Sequence, residues 1–342
     1  MMTNHKQSVI PIAFASDNAF IPVFAVCLQS IMDQSAEEYH YDILLLHSDI
    51  TEENKNTLLK MISEKPNFSL RFYNAAPLVK NYHLDPCCGL PVETYYRFLI
   101  QKILPEYDKV LYLDCDLIVL ADVAELYQTD IDGYSLAAVK DAGFLGQINY
   151  SETLKNYIKT DLPMQNPHNY FNAGVLLLNT EELRKAYAIE EWLTFASKKY
   201  LFNDQDVLNL YCEGRVKYLP MTWNLMNDND NSRISNDIVH AADIIQKEYF
   251  AARSNPKIIH YAGRVKPWQC PSEDLASYFW KVAAKTPYFE LLLQQMVEYT
   301  TTEAIKNVSF KTKLIRKLKP AVNLFFPLQT KRRETLKILL GK

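Results

Sequence analysis

The 342-residue sequence has only eight glycines, and their placement excludes more than their number does. They stand at 89, 133, 143, 146, 174, 214, 263 and 341, never as GxGxxG or GxxxxGK[ST]. Neither glycine-rich phosphate cradle is available, so metal or basic side chains must hold any phosphate. No run reaches the roughly 18 uncharged apolar residues of a membrane span. The six cysteines include no CxxC, and adjacent Cys87 and Cys88 make a poor disulfide framework, so reduced thiols in a cytoplasm are expected. The stretch SVIPIAFASDNAFIPVFAVCL could pass for a secretory signal, but Asp17 and Asn18 split it into a buried strand and a helix.

What is present suits a large folded body. Hydrophobic residues make up 48% and charged residues 23%, enough for a sizeable core in one α/β domain or two smaller ones. The net charge of −3 hides an asymmetry. From Lys306 to Lys342 there are 11 Lys and Arg against the single acid Glu334, a local charge of +10; the rest has 26 against 39, or −13. The tail mixes these cations with Phe325, Phe326, Leu339 and Leu340, which suits an anionic membrane surface better than water.

Short apolar runs alternate with helical patterns through the first 265 residues. Strands are expected at Val9–Ala15, Tyr41–His47, Ser69–Tyr73, Lys109–Leu113, Ser135–Val139, Gly174–Leu178 and Lys257–Tyr261. Their nearly unbroken apolar character fits strands buried on both faces, in a mostly parallel sheet flanked by helices. Thr51 and Thr180, each followed by two glutamates, are read as helix caps. After Pro271 only helical patterns follow. Residues 1–270 are thus expected to form the α/β domain, and 271–342 a helical extension with the basic tail.

The segment VLYLDCDLIVL sets Asp114 and Asp116 at the C-terminal end of an apolar strand, the edge where open α/β sheets bind ligands. Paired carboxylates there repel unless a cation lies between them, and Mg²⁺ or Mn²⁺ suits oxygen ligands. A turn in which both side chains cap backbone amides is the simpler alternative, and the tripeptide alone leaves both open. In IIHYAGRVKPW, His260 ends a strand, Gly263 permits close approach and Lys266 supplies charge. An added imidazole would tilt the choice towards Mn²⁺. YFNAGVLLLN places Asn172 and Gly174 ahead of a strand. FNDQDVLN places Asp204, Gln205 and Asp206 at a helix start, where Asn203 or Asp204 capping would account for part of the cluster.

The ordered set AFASDN, YYR, YLDCD, FNAGV, NDQDVLN and HYAGRVKPW, spanning Val9 to Trp268, resembles the retaining glycosyltransferases of family 8. The resemblance implies a GT-A fold, a UDP-linked donor such as UDP-glucose or UDP-galactose, and Mn²⁺, with Mg²⁺ as the alternative. Carried over by position, it implies that Asp114, Asp116 and His260 bind the metal. Ala15, Asp17 and Arg97 would hold the nucleotide, and Gly263 and Lys266 the diphosphate. Asp141, Asn172, Asp204 and Gln205 would surround the transferred sugar. The implied acceptor is a glycan or glycolipid, for a cytoplasmic enzyme attached peripherally to the inner face of the membrane; no nucleic-acid partner is expected. The rival readings are a haloacid-dehalogenase-like phosphatase, which also carries Asp-x-Asp after a strand, and a non-catalytic sugar-nucleotide binder.

Overall fold

The computed structural model describes residues 8–302, so the expectations for the basic tail lie outside the described residues. Ten strands follow in chain order. They are β1 Ser8–Ala15, β2 Tyr39–His47, β3 Phe68–Asn74, β4 Lys109–Leu113 and β5 Leu117–Val119. Then come β6 Leu136–Lys140, β7 Phe171–Asn179, β8 Val216–Tyr218, β9 Leu225–Met226 and β10 Ile258–His260. All seven expected strands are present; β5, β8 and β9 are additional and only two or three residues long.

Seven strands form one sheet in the order β3-β2-β1-β4-β7-β6-β8. The β3–β2, β2–β1, β1–β4 and β6–β8 pairs are parallel, whereas β7 runs antiparallel to both β4 and β6. The sheet is therefore mixed and mostly parallel. Ile12, Phe14, Leu45, Leu111 and Leu177 are fully buried within it. Each such side chain contributes about 2 kcal/mol through removal from water.

The first helix, Ile21–Gln34, starts with Pro22 inside its first turn, where the missing N–H costs nothing. The stretch that imitates a secretory signal is thus a central strand and the helix after it. Thr51 caps the helix Glu52–Ile62 as expected, accepting from the Asn54 amide at 3.3 Å. The second expected cap is displaced by one residue. Asn179 accepts from the Glu182 amide at 3.1 Å, while Thr180 is already helical and its hydroxyl donates to the Tyr107 carbonyl at 2.5 Å. Asn179 is the last residue of β7, so the chain turns there with a capping amide already in place.

A second, three-stranded sheet, β5-β10-β9, builds the site. β5 begins one residue after Asp116, and β10 pairs with it antiparallel, setting His260 opposite Leu117. This pairing brings position 260 beside position 116. β7 is irregular at the same edge: its register against β6 shifts between Ala138 and Val139, which frees the backbone around Ala173 and Gly174 from regular pairing. After β10 the chain runs through turns and coil over 261–275, and helices follow at Ala276–Ala283 and 289–302. The first compact unit runs to Leu292, so residues 271–292 pack as part of it.

Candidate active site

Asp114 follows β4 directly, and its amide donates to the Gly174 carbonyl at 2.8 Å. One carboxylate oxygen of each aspartate is already engaged by a protein cation. Asp114 Oδ1 accepts from Arg97 Nη2 and from the Tyr112 hydroxyl, both at 3.0 Å. Asp116 Oδ2 accepts from Lys266 Nζ at 2.6 Å. Arg97 and Lys266 therefore compensate the two carboxylates in part, through contacts the sequence did not suggest. Burial alone would raise the Asp116 pKa, but the adjacent Lys266 ammonium outweighs it and holds the group well below the usual carboxylate range.

The other oxygens face a common point. His260 Nε2 lies 3.3 Å from Asp116 Oδ1 and 3.8 Å from Asp114 Oδ2. One ligand atom from each of the three side chains falls within 4.8 Å of the others. A glycine is required beneath them: a Cβ at Gly174 would lie 2.2 Å from His260 Cε1 and 2.9 Å from Asp114 Oδ2. Two oxygens and one imidazole nitrogen converging in this way fit a small divalent cation.

The cluster lies in a cavity of about 730 Å³, also lined by Arg97, Asp141, Asn172, Asp204, Gln205, Gly263 and Lys266. Ten of the twelve expected site residues are thus brought together. The remaining two, Ala15 and Asp17, stand at the end of β1 and do not line it. Asp17 Oδ1 accepts from the Phe20 amide at 2.8 Å, ahead of the first helix.

The residues expected around the sugar are held by one another. Asp204 accepts from the Thr94 hydroxyl and pairs with Arg97 Nη1 at 3.0 Å. Burial pushes its pKa up to about 6, against the lowering pull of Arg97 and Thr94. Gln205 Oε1 accepts from the Ala173 amide at 3.0 Å and from Asn172 Nδ2 at 3.1 Å. Asp141 caps the helix Ala142–Tyr150 through the Phe144 amide, and its other oxygen accepts from Gln205 Nε2 at 3.3 Å.

Neither Asn203 nor Asp204 caps the following helix. Asn203 has φ of 52° and accepts from the Cys87 amide, and Asp204 faces Arg97. The structural acid of the trio is Asp206, which accepts from the Phe202 amide and from the Tyr157 and Tyr170 hydroxyls at 2.6–2.7 Å. Gly263 also serves packing: at φ of 132°, its Cβ would fall 2.4 Å from Asn229, whose amide clasps Arg264 N and Val265 O.

Several contributors lacked a sequence signal. Asn224, at the end of the short helical turn Met221–Asn224, sets its Oδ1 2.9 Å from His260 Nδ1. Arg233 lines the cavity and donates to the Asn227 and Ala262 carbonyls, both at 2.6 Å. Only the fold brings Arg233 to the cavity and Asn224 against His260.

Comparisons with known proteins show the family and the fold. Residues 11–270 match the model of glycosyl transferase family 8. Glycosyltransferase GlyF of Streptococcus pneumoniae is 26% identical over 83% of this chain and 63% of its own length. The lipopolysaccharide 1,2-glucosyltransferase of Escherichia coli K12 is 25% identical over 58% of this chain and 53% of its own. Among solved structures, the bifunctional WbbM is 28% identical with a TM-score of 0.77, covering 86% of this chain and 53% of that one. An active-site mutant of LgtC is 25% identical with a TM-score of 0.64, covering 81% and 96%. The galactosyltransferase LgtC with donor and acceptor sugar analogues shares the fold at a TM-score of 0.62. The chain thus spans little more than half of some relatives.

The fold and the site define a GT-A glycosyltransferase. More particularly, the chain belongs to glycosyltransferase family 8, whose members use a nucleotide-sugar donor and a glycan acceptor. The phosphatase reading is thereby set aside.

Proposed function

We propose that this chain is a Mn²⁺-dependent retaining hexosyltransferase that moves glucose or galactose from a UDP-sugar to a lipid-linked glycan. One observation carries the reading: the ligand atoms of Asp114, Asp116 and His260 meet within 4.8 Å, beside Lys266, in a cavity of nucleotide-sugar size. The two hexoses are those of the E. coli and LgtC relatives. The lipid-linked acceptor and the cytoplasmic, membrane-peripheral location rest on the E. coli relative and on the basic tail sequence. Among the described residues no helix is long and apolar enough to cross a membrane.

Asp114, Asp116 and His260 would hold the cation, which supplies fixed positive charge against the departing diphosphate. Lys266, at the edge of the cluster, adds a second charge on the same group. Ala15, Asp17 and Arg97 are proposed for the nucleotide end, and Gly263 for the diphosphate. Covalent retention would need a free carboxylate beneath the anomeric carbon. Gln205 Oε1 is held by Ala173 and Asn172, and both Asp204 oxygens are held by Thr94 and Arg97. This supports front-face displacement. The bond from the anomeric carbon to the phosphate oxygen breaks with its electron pair leaving on that oxygen. The acceptor oxygen bonds to the carbon on the same face, and the acceptor's proton passes to the leaving phosphate.

Incubation of the purified chain with Mn²⁺ and a panel of UDP-sugars, reading released UDP, tests the donor. Turnover of one hexose donor, lost on chelation, is expected. UDP binding without turnover would favour a sugar-nucleotide binder, and a stable glycosyl adduct on Asp204 or Gln205 would overturn front-face attack. Truncation before Lys306 is expected to weaken binding to anionic liposomes while sparing transfer to a soluble acceptor.

A further inference from the structure

We propose that Asn224, held by Asn172, is a positioning residue that fixes His260 as its Nδ1–H tautomer and so aims the Nε2 lone pair at the point shared by Asp114 and Asp116.

The orientation of every group in this chain of contacts follows from backbone donors, which have no alternative role. The Gly174 amide donates to one side-chain atom of Asn172 at 3.0 Å, so that atom is the carbonyl Oδ1. Independently, the Ala173 amide donates to Gln205 at 3.0 Å and identifies Gln205 Oε1. Asn172 Nδ2 then donates to Gln205 Oε1 at 3.1 Å, in agreement with the first assignment. Asn172 Oδ1, as an acceptor, requires Asn224 to present its NH₂ group, which it does at 2.8 Å. The carbonyl of Asn224 is thereby turned to His260, 2.9 Å from Nδ1. An acceptor at that distance places the imidazole proton on Nδ1.

The consequence lies on the far side of the ring. A neutral imidazole with its proton on Nδ1 has a lone pair on Nε2, facing Asp116 Oδ1 at 3.3 Å and Asp114 Oδ2 at 3.8 Å. Three electron-rich atoms then surround one point, an arrangement that favours a cation there. The opposite tautomer would donate Nε2–H to Asp116 and close the point.

Burial makes the relay effective. Asn224 is 2% exposed, His260 3% and Asn172 7%, so water does not replace a lost contact cheaply. Sheet pairing fixes the register: Asn224 lies two residues before Met226 of β9, which pairs with His260 of β10. The same asparagine pair also joins the metal end of the cavity to Gln205. Ligating histidines commonly depend on such an outer partner, and losing it weakens metal binding about 10- to 100-fold.

The test uses the full chain, labelled with ¹⁵N and freed of metal, at alkaline pH where imidazole is neutral. Two-bond ¹H–¹⁵N correlations identify the protonated nitrogen of His260, the His260→Gln spectrum giving the assignment. Wild type is expected as Nδ1–H. Asn224→Leu is expected to lose that preference and to bind Mn²⁺ about 10- to 100-fold more weakly. Asn224→Asp keeps an acceptor for Nδ1–H and is expected to keep the tautomer. An Nε2–H wild type, or Asn224→Leu with unchanged tautomer and Mn²⁺ affinity, would overturn the relay. If Asn224→Leu does not fold, the wild-type tautomer decides. The inference rests on the metal reading of the cluster, yet the two fail separately. A wild type that binds no Mn²⁺ sinks the metal reading, while the metal-free spectrum still decides the relay.

Discussion

The two ends of the cavity are built on opposite principles. At the end proposed for the metal, Asp114, Asp116 and His260 each commit one polar atom to the protein and leave another facing a shared point. At the end proposed for the sugar, Asp204 and Asn172 have both of their polar atoms engaged by neighbours. Arg97 joins the ends, lying 3.0 Å from both Asp114 and Asp204 and stacking 4.3 Å over the Tyr112 ring. The first end can accept a further charge without rearrangement. The second can shape a ligand but has few free atoms with which to react.

Removing the link between the ends should have the largest effect on stability. Arg97→Ala leaves the Asp114 and Asp204 carboxylates without their shared cation, and breaking a buried pair costs about 3–5 kcal/mol. Urea unfolding should report that loss, together with loss of transfer. A stable Arg97→Ala chain would show that the two ends are independent.

Gly174→Ala strikes the metal end alone. Its methyl group meets the His260 ring and the Asp114 carboxylate, so overpacking of about 1–3 kcal/mol is expected. Mn²⁺ affinity, measured by calorimetry, should fall much more than ligand-free stability would suggest.

The sugar end has a pH signature of smaller size. Asp204 has a pKa raised by burial from 3.8 to about 6, so the folded chain binds more protons than the unfolded one between those values. Stability contributed by this group is therefore highest below 3.8 and falls as pH rises to about 6. The fall is about 3 kcal/mol at most, at 1.36 kcal/mol per unit. Transfer should change in the opposite sense, rising as Asp204 ionises opposite Arg97. Asp204→Asn should remove both dependences; an unchanged acid limb in its pH–rate profile would place that ionisation elsewhere.

Much of this contrast was legible in the sequence, but unevenly. Strands of five residues or more announced themselves as apolar runs, as did three-residue β10, whereas the similarly short β5, β8 and β9 were not set apart from their surroundings. Asp114, Asp116 and His260 could be read because paired carboxylates after a strand, and an imidazole at a strand end, need a chemical reason. Their compensation by Arg97 and Lys266 could not, since those contacts span 17 and 150 residues. Thr51 was recognisable as a cap, but at Thr180 the strand's last residue, Asn179, took the role. Asn224 looks like any polar turn residue until β9 pairs with β10.

Mn²⁺ binding to the full chain and to His260→Ala and Asp116→Ala, each checked for intact folding by circular dichroism, tests the central claim most directly. The account predicts saturable binding of a single Mn²⁺ by wild type, lost in both variants along with transfer. A folded His260→Ala chain that binds Mn²⁺ as tightly as wild type would contradict it.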